Sequence, residues 1–529
     1  MMRIRSVEVL AQRFGFGGAR CSLSSAIRWL SMVTSTGRFS SGCLWLLLIL
    51  NLGAAGLFGA ERNIIFLVTD DQSPLLGCYG DRVAVSPHAD ALAKDGTLFR
   101  NAFATTASCS PSRSVILSGM HNHANGQYGL AHSVHHFSSL DNVHSVALPR
   151  ALAAAGYRTA QIGKLHVLPE QVYHFETSLK GNPRQTVKLV EACREFMTTP
   201  SEKPFFLYIG TTDPHRDGKT VETSPLELKP NSFGNPVGSS SAESQEVVFD
   251  PQSIPIPPFL PDTPECRAEL AQYYQSCARI DRGLGRLIEI LKETGLYDKT
   301  LIVFTSDHGI AMPGAKTTTY EPGLHVPFIV RNPYQQKRGI VSEALISHVD
   351  IAPSLLDFAG ALKKEMLLSS QPPHASTKGQ AIRVQKPVYH GNSWIPILGE
   401  TRPAGWDTIY ASHTTHEVQM YYPMRVVRDR QYKLIWNLAG ELRFPSASDL
   451  WQSATWQAQL KKGSDAPYGF RTVREYLHRP RYELFDIQKD PDERQNLADL
   501  PEYRDVLKTY IQKLEAFQNQ TADPWANAL

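Results

Sequence analysis

The stretch that decides the fold is "NIIFLVTDD", Asn63 to Asp71, an apolar and β-branched run that ends in two aspartates. Three later stretches repeat this pattern: "YRTAQIGKLH" (157–166), "PFFLYIGTTDPH" (204–215) and "TLIVFTSDHG" (300–309). Nearly continuous apolar runs are typical of strands that are covered on both faces. The sequence therefore predicts an α/β fold whose mostly parallel sheet is sandwiched by helices.

Helical patterns lie between these predicted strands. In "SPHADALAKDG", Ser86 is the expected N-cap and Pro87 the first helical residue. The longest helical pattern runs from about 265 to 294. We expect it to break near Gly283 and Gly285, because glycine weakens a helix.

The chain changes character near its C-terminus. The stretches "MRVVRDRQYKLIWNL" (424–438) and "YELFDIQKDPDERQNLADLPEY" (482–503) are typical of short antiparallel strands and turns, and a helical pattern follows them. We therefore predict a main domain over 61–425 and a smaller α+β domain, which contains an antiparallel sheet, over 426–529.

Two polar segments interrupt the pattern of strands and helices. Residues 217–264 are rich in Pro, Ser and Gly and show no sustained apolar period. This predicts a long loop, and such loops often shape the binding site of an α/β enzyme. Residues 363–385 are predicted to be an insertion or a linker.

Each of the four predicted strands is followed by polar side chains. They are Asp70 and Asp71, Lys164 and His166, Asp213 and His215, and Asp307 and His308. A single aspartate after a strand is usually a turn or cap residue. In an open α/β sheet, however, the carboxyl ends of the strands face the ligand crevice. Four such coincidences therefore indicate a functional site at one edge of the sheet.

Three of these carboxylates and one imidazole predict a site for a hard divalent cation. The residues are Asp70, Asp71, Asp307 and His308. One imidazole does not indicate zinc, and the majority of oxygen ligands favours Ca²⁺, with Mg²⁺ as the alternative. The other interpretation of His308 is that its ring only satisfies a backbone group.

A further motif is "TTASCSPSRSVILSG", Thr105 to Gly119. Ser110 can cap a helix whose first residue is Pro111, which places Cys109 just before a helix N-terminus, where an anion is favoured. Arg113, one turn into the helix, can reach the same place. An unmodified cysteine there would be a thiolate nucleophile. The alternative is a buried structural cysteine.

The motif resembles the signature of the sulfatase family, C-x-P-S-R. The matching residues are Cys109, Ser110, Pro111, Ser112 and Arg113, and Leu117-Ser118-Gly119 stands in place of the usual L-T-G. The resemblance implies an alkaline-phosphatase-like fold. It also implies that the cysteine is oxidised to formylglycine, whose hydrate is the nucleophile. A formylglycine-generating or equivalent maturation enzyme would then be a partner of the chain.

The same resemblance implies a role for each matching residue. The Ca²⁺ ligands would be Asp70, Asp71, Asp307 and His308, with the modified Cys109 also facing the metal. Arg113 and Lys164 would hold the formylglycine hydrate, and Lys316 would hold the sulfate together with Lys164. His215 would protonate the leaving group, and His166 would help to eliminate sulfate.

Longer stretches, among them "HNHANGQYGLAHSVHHF", "TTDPHRDG" and "THEVQMYYPMRVV", resemble one branch of that family. Its members hydrolyse the N-sulfate of terminal N-sulfoglucosamine in heparan-type glycans. This resemblance implies a sulfated glycosaminoglycan or oligosaccharide as substrate, with Asp213, His416 and Glu417 as its binding residues. For His416 and Glu417 the alternative is a solvated polar turn.

The chain departs from that branch at three positions. His308 stands where the branch has Asn, Lys316 where it has Arg, and Asp217 where it has a cysteine, so a disulfide of the branch is absent. The alternatives are an O-sulfatase on another sulfated glycan, a phosphonate or phosphodiester hydrolase, and a non-catalytic binder of sulfated glycans.

The N-terminal 60 residues are predicted to be a leader. Six arginines and one acid precede the apolar run "CLWLLLILNLGAAGLFGA", Cys43 to Ala60. This is typical of an export signal, with cleavage expected after Ala55. The alternatives are initiation at Met32 and an uncleaved membrane anchor. We expect a periplasmic or secreted protein in a bacterium and a lysosomal one in an animal.

Without the predicted leader, the chain has nearly balanced charge. Removal of residues 1–55 leaves 48 Lys and Arg against 50 Asp and Glu, a net charge of −2. A chain with this balance gives no reason to expect nucleic acid as a partner. The sequence does not decide between a monomer and a homodimer.

Overall fold

The computed structural model describes residues 62–132, 136–217, 232–235, 246–370 and 388–526. The predicted leader with its cleavage site lies outside these residues. Half of the predicted loop over 217–264 and most of the predicted insertion over 363–385 lie outside them as well. Within the described ranges, no helix has the length and apolar character needed to cross a bilayer.

The main sheet has eight strands, and most of them run parallel. The strands are β1 (Asn63–Thr69), β2 (Thr97–Phe103), β3 (Arg158–Gly163), β4 (Thr177–Leu179), β5 (Phe205–Gly210), β6 (Thr300–Ser306), β7 (Phe328–Arg331) and β8 (Ile340–Ser347). Their order is β4-β3-β5-β1-β6-β7-β2-β8, and only β7 runs antiparallel to its neighbours. Every residue of β1, β5 and β6 is buried. The predicted α/β fold with a mostly parallel sheet is confirmed.

Helices cover both faces of this sheet. The helices of the described residues are α1 (Pro87–Lys94), α2 (Cys109–Ser118), α3 (Asn122–Asn125), α4 (Leu148–Ala154), α5 (Thr186–Glu191), α6 (Arg194–Thr198), α7 (Pro264–Glu293), α8 (Glu321–Leu324), α9 (Ile351–Phe358), α10 (Ser448–Trp451), α11 (Ala454–Leu460), α12 (Val473–Leu477) and α13 (Arg504–Gln520). Alternate residues of β1 join different clusters, since successive side chains of a strand point to opposite faces. Phe66 belongs to the cluster that contains residues of α2, α4 and α9, and Leu67 to the cluster that contains residues of α1, α5 and α7.

Helix α7 is continuous, so the predicted break near its two glycines is wrong. A Cβ atom at Gly283 would lie 2.5 Å from Cβ of Thr186, and one at Gly285 would lie 2.5 Å from the ring of His88. These glycines therefore allow α5 and α1 to pack closely against α7. Close packing explains their presence in the middle of a helix.

A second sheet lies in the C-terminal part of the chain and is antiparallel. Its strands are β9 (Thr408–His413), β10 (Met424–Asp429), β11 (Tyr432–Asn437) and β14 (Tyr482–Asp486), and the short strands β12 (Pro467–Tyr468) and β13 (Arg471–Thr472) pair separately. The strand order of the sheet is β14-β11-β10-β9. Leu514 of α13 packs on Leu434 and Trp436 of β11. The predicted antiparallel sheet is confirmed, and its first strand begins at Thr408, before the predicted domain boundary at 426.

Candidate active site

The carboxyl ends of β1, β3, β5 and β6 bring the predicted polar residues together. Lys164, which follows β3, lies with its Nζ atom 2.5 Å from Oδ2 of Asp70, which follows β1. The backbone N–H of Asp71 donates to Oδ1 of Asp307, after β6, at 3.0 Å. The backbone N–H of Asp70 donates to the carbonyl of Asp213, after β5. Four segments distant in sequence therefore meet at one edge of the sheet.

Cys109 is the first residue of α2 and is buried, with 2% of its surface exposed. The predicted N-cap, Ser110, is wrong, because the N-cap is Ser108. The carbonyl of Ser108 accepts the first helical hydrogen bond, from Ser112, at 2.9 Å. The hydroxyl of Ser110 instead accepts from the backbone N–H of Ala131. Cys109 thus lies within the first turn of the helix.

Both cations and carboxylates surround Cys109. Burial alone would raise the pKa of the thiol. Lys164, Lys316 and His308 outweigh this effect and lower that pKa well below its ordinary value. The side chain at position 109 therefore faces a site that favours negative charge.

Two groups of ligand atoms share Cys109. One group is Asp71, Cys109 and His308, and the other is Asp70, Cys109 and Asp307; within each group the atoms lie within 4.8 Å of one another. Nε2 of His308 lies 3.4 Å from Sγ of Cys109 and 3.0 Å from Oδ1 of Asp71.

This donor set fits a hard divalent cation. The side chains of Asp70, Asp71, Asp307 and His308 are all fully buried. Burial and the nearby Asp70 raise the pKa of Asp307, and Arg113 lowers it. Together these effects raise the pKa of Asp307 to about 7. Three carboxylates that share one buried volume need positive charge, and oxygen-rich sets of this kind suit Ca²⁺.

Arg113 supplies part of that positive charge and ties the strand ends together. Its guanidinium donates to Oδ2 of Asp307 at 2.9 Å and to Oδ1 of Asp70 at 3.2 Å. It also donates to the carbonyl of Lys164 and to the hydroxyl of Tyr208. Because Nε, Nη1 and Nη2 all donate to acceptors inside the protein, Arg113 holds the geometry of the site as well as its charge.

Lys316 and His215 lie side by side. Nζ of Lys316 donates to Oδ2 of Asp71 at 2.9 Å and lies 3.1 Å from Nε2 of His215. Nδ1–H of His215 donates to the carbonyl of Arg216 at 2.5 Å. Burial and Lys316 lower the pKa of His215, but Asp71 and Asp70 raise it more, so it lies above the ordinary value.

His166 also contacts Cys109. Its backbone has a φ of 54°, and its buried Nδ1 atom has no hydrogen-bond partner. Burial lowers the pKa of this imidazole, and a hydrogen bond with Cys109 acts in the opposite direction. The ring is therefore mostly neutral near pH 7 and can accept a proton.

The three residues predicted to bind the sugar differ in their surroundings. Both carboxylate oxygens of Asp213 accept from arginines, at 2.9 Å from Arg184 and 2.7 Å from Arg279. Nδ1 of His416 lies 2.8 Å from the Ser108 hydroxyl, next to Cys109. Glu417 is half-buried. The structure thus gives the buried Asp213 two ion pairs and brings His416 next to the nucleophile position.

The structure adds one residue that the sequence did not indicate, Asp449 on α10. Its Oδ2 atom accepts from Nζ of Lys316 at 2.8 Å and lies 3.9 Å from Nε2 of His215. Burial raises its pKa, but Lys316 and His215 lower it to about 2, so the carboxylate is charged. In the sequence, "SASDLW" is an ordinary acidic first turn of a helix, and no spacing relates it to the other site residues.

Comparison with known proteins places this site in a family. A sequence model described as Sulfatase matches residues 62–361. The N-sulphoglucosamine sulphohydrolase of Homo sapiens is 38% identical over 500 residues, which cover 92% of this chain and 95% of the human protein. The Ulvan-active sulfatase of Formosa agariphila is 28% identical over 479 residues, which cover 88% of this chain and 81% of that protein.

Solved structures share the fold. A protein solved in complex with its substrate D-glucosamine-2-N,6-O-disulfate has a TM-score of 0.58 and 20% identity, covering 88% of this chain and 98% of that one. The phosphonate monoester hydrolase of Agrobacterium radiobacter also has a TM-score of 0.58, with 19% identity, covering 87% and 96%. These likenesses show the alkaline-phosphatase-like fold. The family match and the human relative show more: this chain is an enzyme that belongs to the sulfatase family.

Proposed function

We propose that the chain hydrolyses the N-sulfate of terminal N-sulfoglucosamine in heparan sulfate or heparin-type glycans. The observation that carries the substrate assignment is the 38% identity to the human N-sulphoglucosamine sulphohydrolase, which extends over 92% of the chain. The geometry around Cys109 supports the chemistry, because Lys164, Lys316 and Arg113 surround a position where an anionic sulfuryl group can be held.

The proposal includes oxidation of Cys109 to formylglycine. The hydrated aldehyde would supply the attacking hydroxyl, and its second hydroxyl would allow the side chain to be regenerated, which a serine could not do. Cys109 begins a buried helix and lies next to His166 and His308, so this position is shielded from water and has an imidazole in contact.

A bound Ca²⁺ ion is also part of the proposal, with Mg²⁺ as the alternative. Its ligands would be Asp70, Asp71, Asp307 and His308, and residue 109 would face it. A cation there would offset negative charge on the sulfuryl oxygens. The support is the buried, oxygen-rich donor set at the strand ends.

In this proposal, different residues of the chain would bind the sulfate, transfer protons and bind the sugar. Lys164 and Lys316 would hold the sulfuryl oxygens, because fixed cations stabilise charge best when water is excluded. The Nδ1–H of His215 is fixed by the carbonyl of Arg216, so Nε2 is the atom that would deliver a proton to the leaving nitrogen. His166 would accept a proton when sulfate leaves, and His416 and Glu417 would bind the sugar.

A panel of sulfated sugars tests the substrate. We expect sulfate release from N-sulfoglucosamine, and much slower release from N-acetylglucosamine 6-O-sulfate and from a 2-O-sulfated uronic acid. An O-sulfatase is the second candidate, since His308 and Lys316 depart from the branch and an Ulvan-active sulfatase is among the relatives. Release from the O-sulfated sugars alone would reject the proposed substrate.

Mass spectrometry of the peptide that contains Thr106 to Arg113 tests the nucleophile. Formylglycine replaces the thiol sulfur of Cys109 with a lighter carbonyl oxygen, so the peptide mass falls. Protein from the native host is the sample required, because the modification depends on a maturation enzyme. A fully active protein with wholly unmodified Cys109 would contradict the proposed nucleophile.

We also propose that the chain is exported, periplasmic or secreted in a bacterium and lysosomal in an animal. The support is the basic and apolar leader sequence of residues 1–60. N-terminal sequencing of the mature protein tests this proposal, with a start directly after Ala55 as the expected result. A mature protein that begins at Met1 or Met32 would contradict cleavage there.

A further inference from the structure

Asp449 lies where the sulfate and the leaving group would meet. Its Oδ2 atom is 2.8 Å from Nζ of Lys316, the proposed sulfate ligand, and 3.9 Å from Nε2 of His215, the proposed proton donor. The polar atoms of Asp449, Asp71 and His215 all lie within 4.8 Å of one another. The Asp449 side chain is 13% exposed, so its carboxylate is largely shielded from water.

A carboxylate at this position opposes the binding of a sulfate anion. Lys316 already pairs with Asp71, so a second carboxylate is not needed to neutralise it. Negative charge next to a lysine that holds an anionic group weakens that hold by direct repulsion. The arrangement therefore favours a substrate with a hydrogen-donating group that can contact Asp449.

The orientation of the Asp449 carboxylate suits such a contact. Its Oδ1 atom accepts from the backbone N–H of Leu450 at 2.9 Å, which fixes the carboxylate on α10. Oδ2 faces Lys316 and His215. A carboxylate oxygen can accept more than one hydrogen bond, so Oδ2 can accept from Lys316 and from a substrate together.

We propose that Asp449 is a specificity-determining residue that recognises the N–H group of a sulfamate. The proposal rests on the proposed N-sulfatase function. The leaving nitrogen of N-sulfoglucosamine carries one hydrogen, which can donate to Oδ2 of Asp449. The bridging oxygen of an O-sulfate ester carries none, and its lone pairs would face the carboxylate. Asp449 thereby favours sulfamates over sulfate esters.

The reaction balances with Asp449 as an acceptor only. The S–N bond would break as a hydroxyl oxygen of the hydrated residue 109 forms an S–O bond, and the electron pair of the S–N bond would go to nitrogen. The proton of that hydroxyl would be released to solvent, which balances the proton that His215 delivers. His215 delivers one proton from Nε2 to that nitrogen, and the original N–H stays bonded to Asp449. The product is a neutral amine, R–NH₂, and Asp449 stays ionised throughout.

Two variants of Asp449 test the proposal on the full-length, mature enzyme. Asp449→Leu removes the acceptor and keeps a similar size, and Asp449→Asn keeps one acceptor oxygen without the charge. We compare kcat/KM for N-sulfoglucosamine with kcat/KM for 4-nitrophenyl sulfate. The ratio should fall at least about tenfold in Asp449→Leu and less in Asp449→Asn, as expected for loss of a charged hydrogen bond.

Inhibition by inorganic sulfate is the second readout. Sulfate has no N–H group, so its binding should be unchanged or tighter in both variants. Weaker sulfate inhibition together with equal losses on both substrates would show that Asp449 only holds Lys316 in place, and would overturn the proposal. Asp465→Asn is the matched control, because it removes the same charge from an exposed acid that pairs with Arg474.

The outcomes separate this proposal from the proposed function. Wild-type enzyme without activity on N-sulfoglucosamine would overturn the proposed function itself. Wild-type activity on that sugar with an unchanged substrate ratio in Asp449→Leu would overturn only the role of Asp449. If Asp449→Leu does not fold, an unchanged ratio in Asp449→Asn, together with weaker sulfate inhibition, has the same meaning.

Discussion

Nε of Arg113 donates to Oδ2 of Asp307 at 2.9 Å, and both side chains are fully buried. This bond joins α2, the helix that begins at Cys109, to the end of β6. The same guanidinium reaches Asp70 after β1 and the carbonyl of Lys164 after β3. One side chain thus fixes the relative positions of three strand ends and the proposed nucleophile.

We predict that Arg113→Ala lowers both stability and activity. The substitution leaves Asp70 and Asp307 buried without this cation, which typically costs about 3–5 kcal/mol of the free energy of unfolding. Denaturant unfolding and sulfate release measure the two effects. Arg267→Ala is the control, because Arg267 pairs with the exposed Asp262 and such pairs contribute about 0–1 kcal/mol. Equal stability losses in both variants would contradict the structural role of Arg113.

Removal of divalent cations should inactivate the enzyme. A chelator would leave the carboxylates of Asp70, Asp71 and Asp307 in one buried site with mutual repulsion. We expect loss of sulfate release and a lower unfolding temperature after exhaustive dialysis against a chelator. Ca²⁺ should restore both, and Mg²⁺ should restore them less, since Mg²⁺ is smaller and demands stricter geometry. Full activity after complete removal of metal would contradict the proposed site.

Gly285→Ala should destabilise the protein although alanine is the better helix former. The new Cβ atom would lie 2.5 Å from the ring of His88, and such overpacking typically costs about 1–3 kcal/mol. The His88→Ala background removes the clash, so there the same substitution should stabilise α7 by up to about 1 kcal/mol. Free energies of unfolding from the four proteins of this cycle give the test. A cost that persists in the His88→Ala background would show that the clash is not the cause.

Asp350 should make stability depend on pH. Burial raises the pKa of its carboxyl, while the backbone N–H groups of Ser347 and Asn392 lower it, to about 7 overall. The folded state therefore binds this proton more tightly than the unfolded state. The stability that the protonated group contributes is complete below about pH 4 and is lost as the pH rises through about 7.

The variant Asp350→Asn tests this dependence. Urea unfolding of both proteins at several values between about pH 4 and pH 7 should give a shallower decrease for the variant. The variant should also be less stable at the acidic end, because an amide cannot accept from both N–H groups as the carboxyl does. Parallel curves over that range would refute the contribution of Asp350.

Much of the fold and the centre of the site could be predicted from the sequence. Parallel strands leave a strong local signal, the long apolar run, and their carboxyl ends meet by topology. Asp70, Lys164 and Asp307 therefore could be assigned to one edge without a structure. The sequence pattern places the N-cap two residues too late, because Ser108 and Ser110 have the same side chain and only the backbone hydrogen bonds distinguish them.

Other features of the site and the fold leave no local signal in the sequence. Asp449 reaches the site from α10, 133 residues after its partner Lys316, through the packing of the C-terminal part of the chain. Gly283 and Gly285 look like helix breakers in the sequence. Only the positions of Thr186 and His88 in the structure show that these glycines allow other helices to pack closely against α7. Asp213 follows a strand like the other site residues, but its two arginine partners come from distant segments.

All ten residues of α2 are buried, from Cys109 to Ser118. A maturation enzyme that reads Cys109 and Arg113 by their side chains cannot reach them once this helix is packed. The proposed oxidation therefore has to occur before α2 folds against the sheet. A chain that folds before it is modified would keep its thiol and remain inactive, however much maturation enzyme is added later.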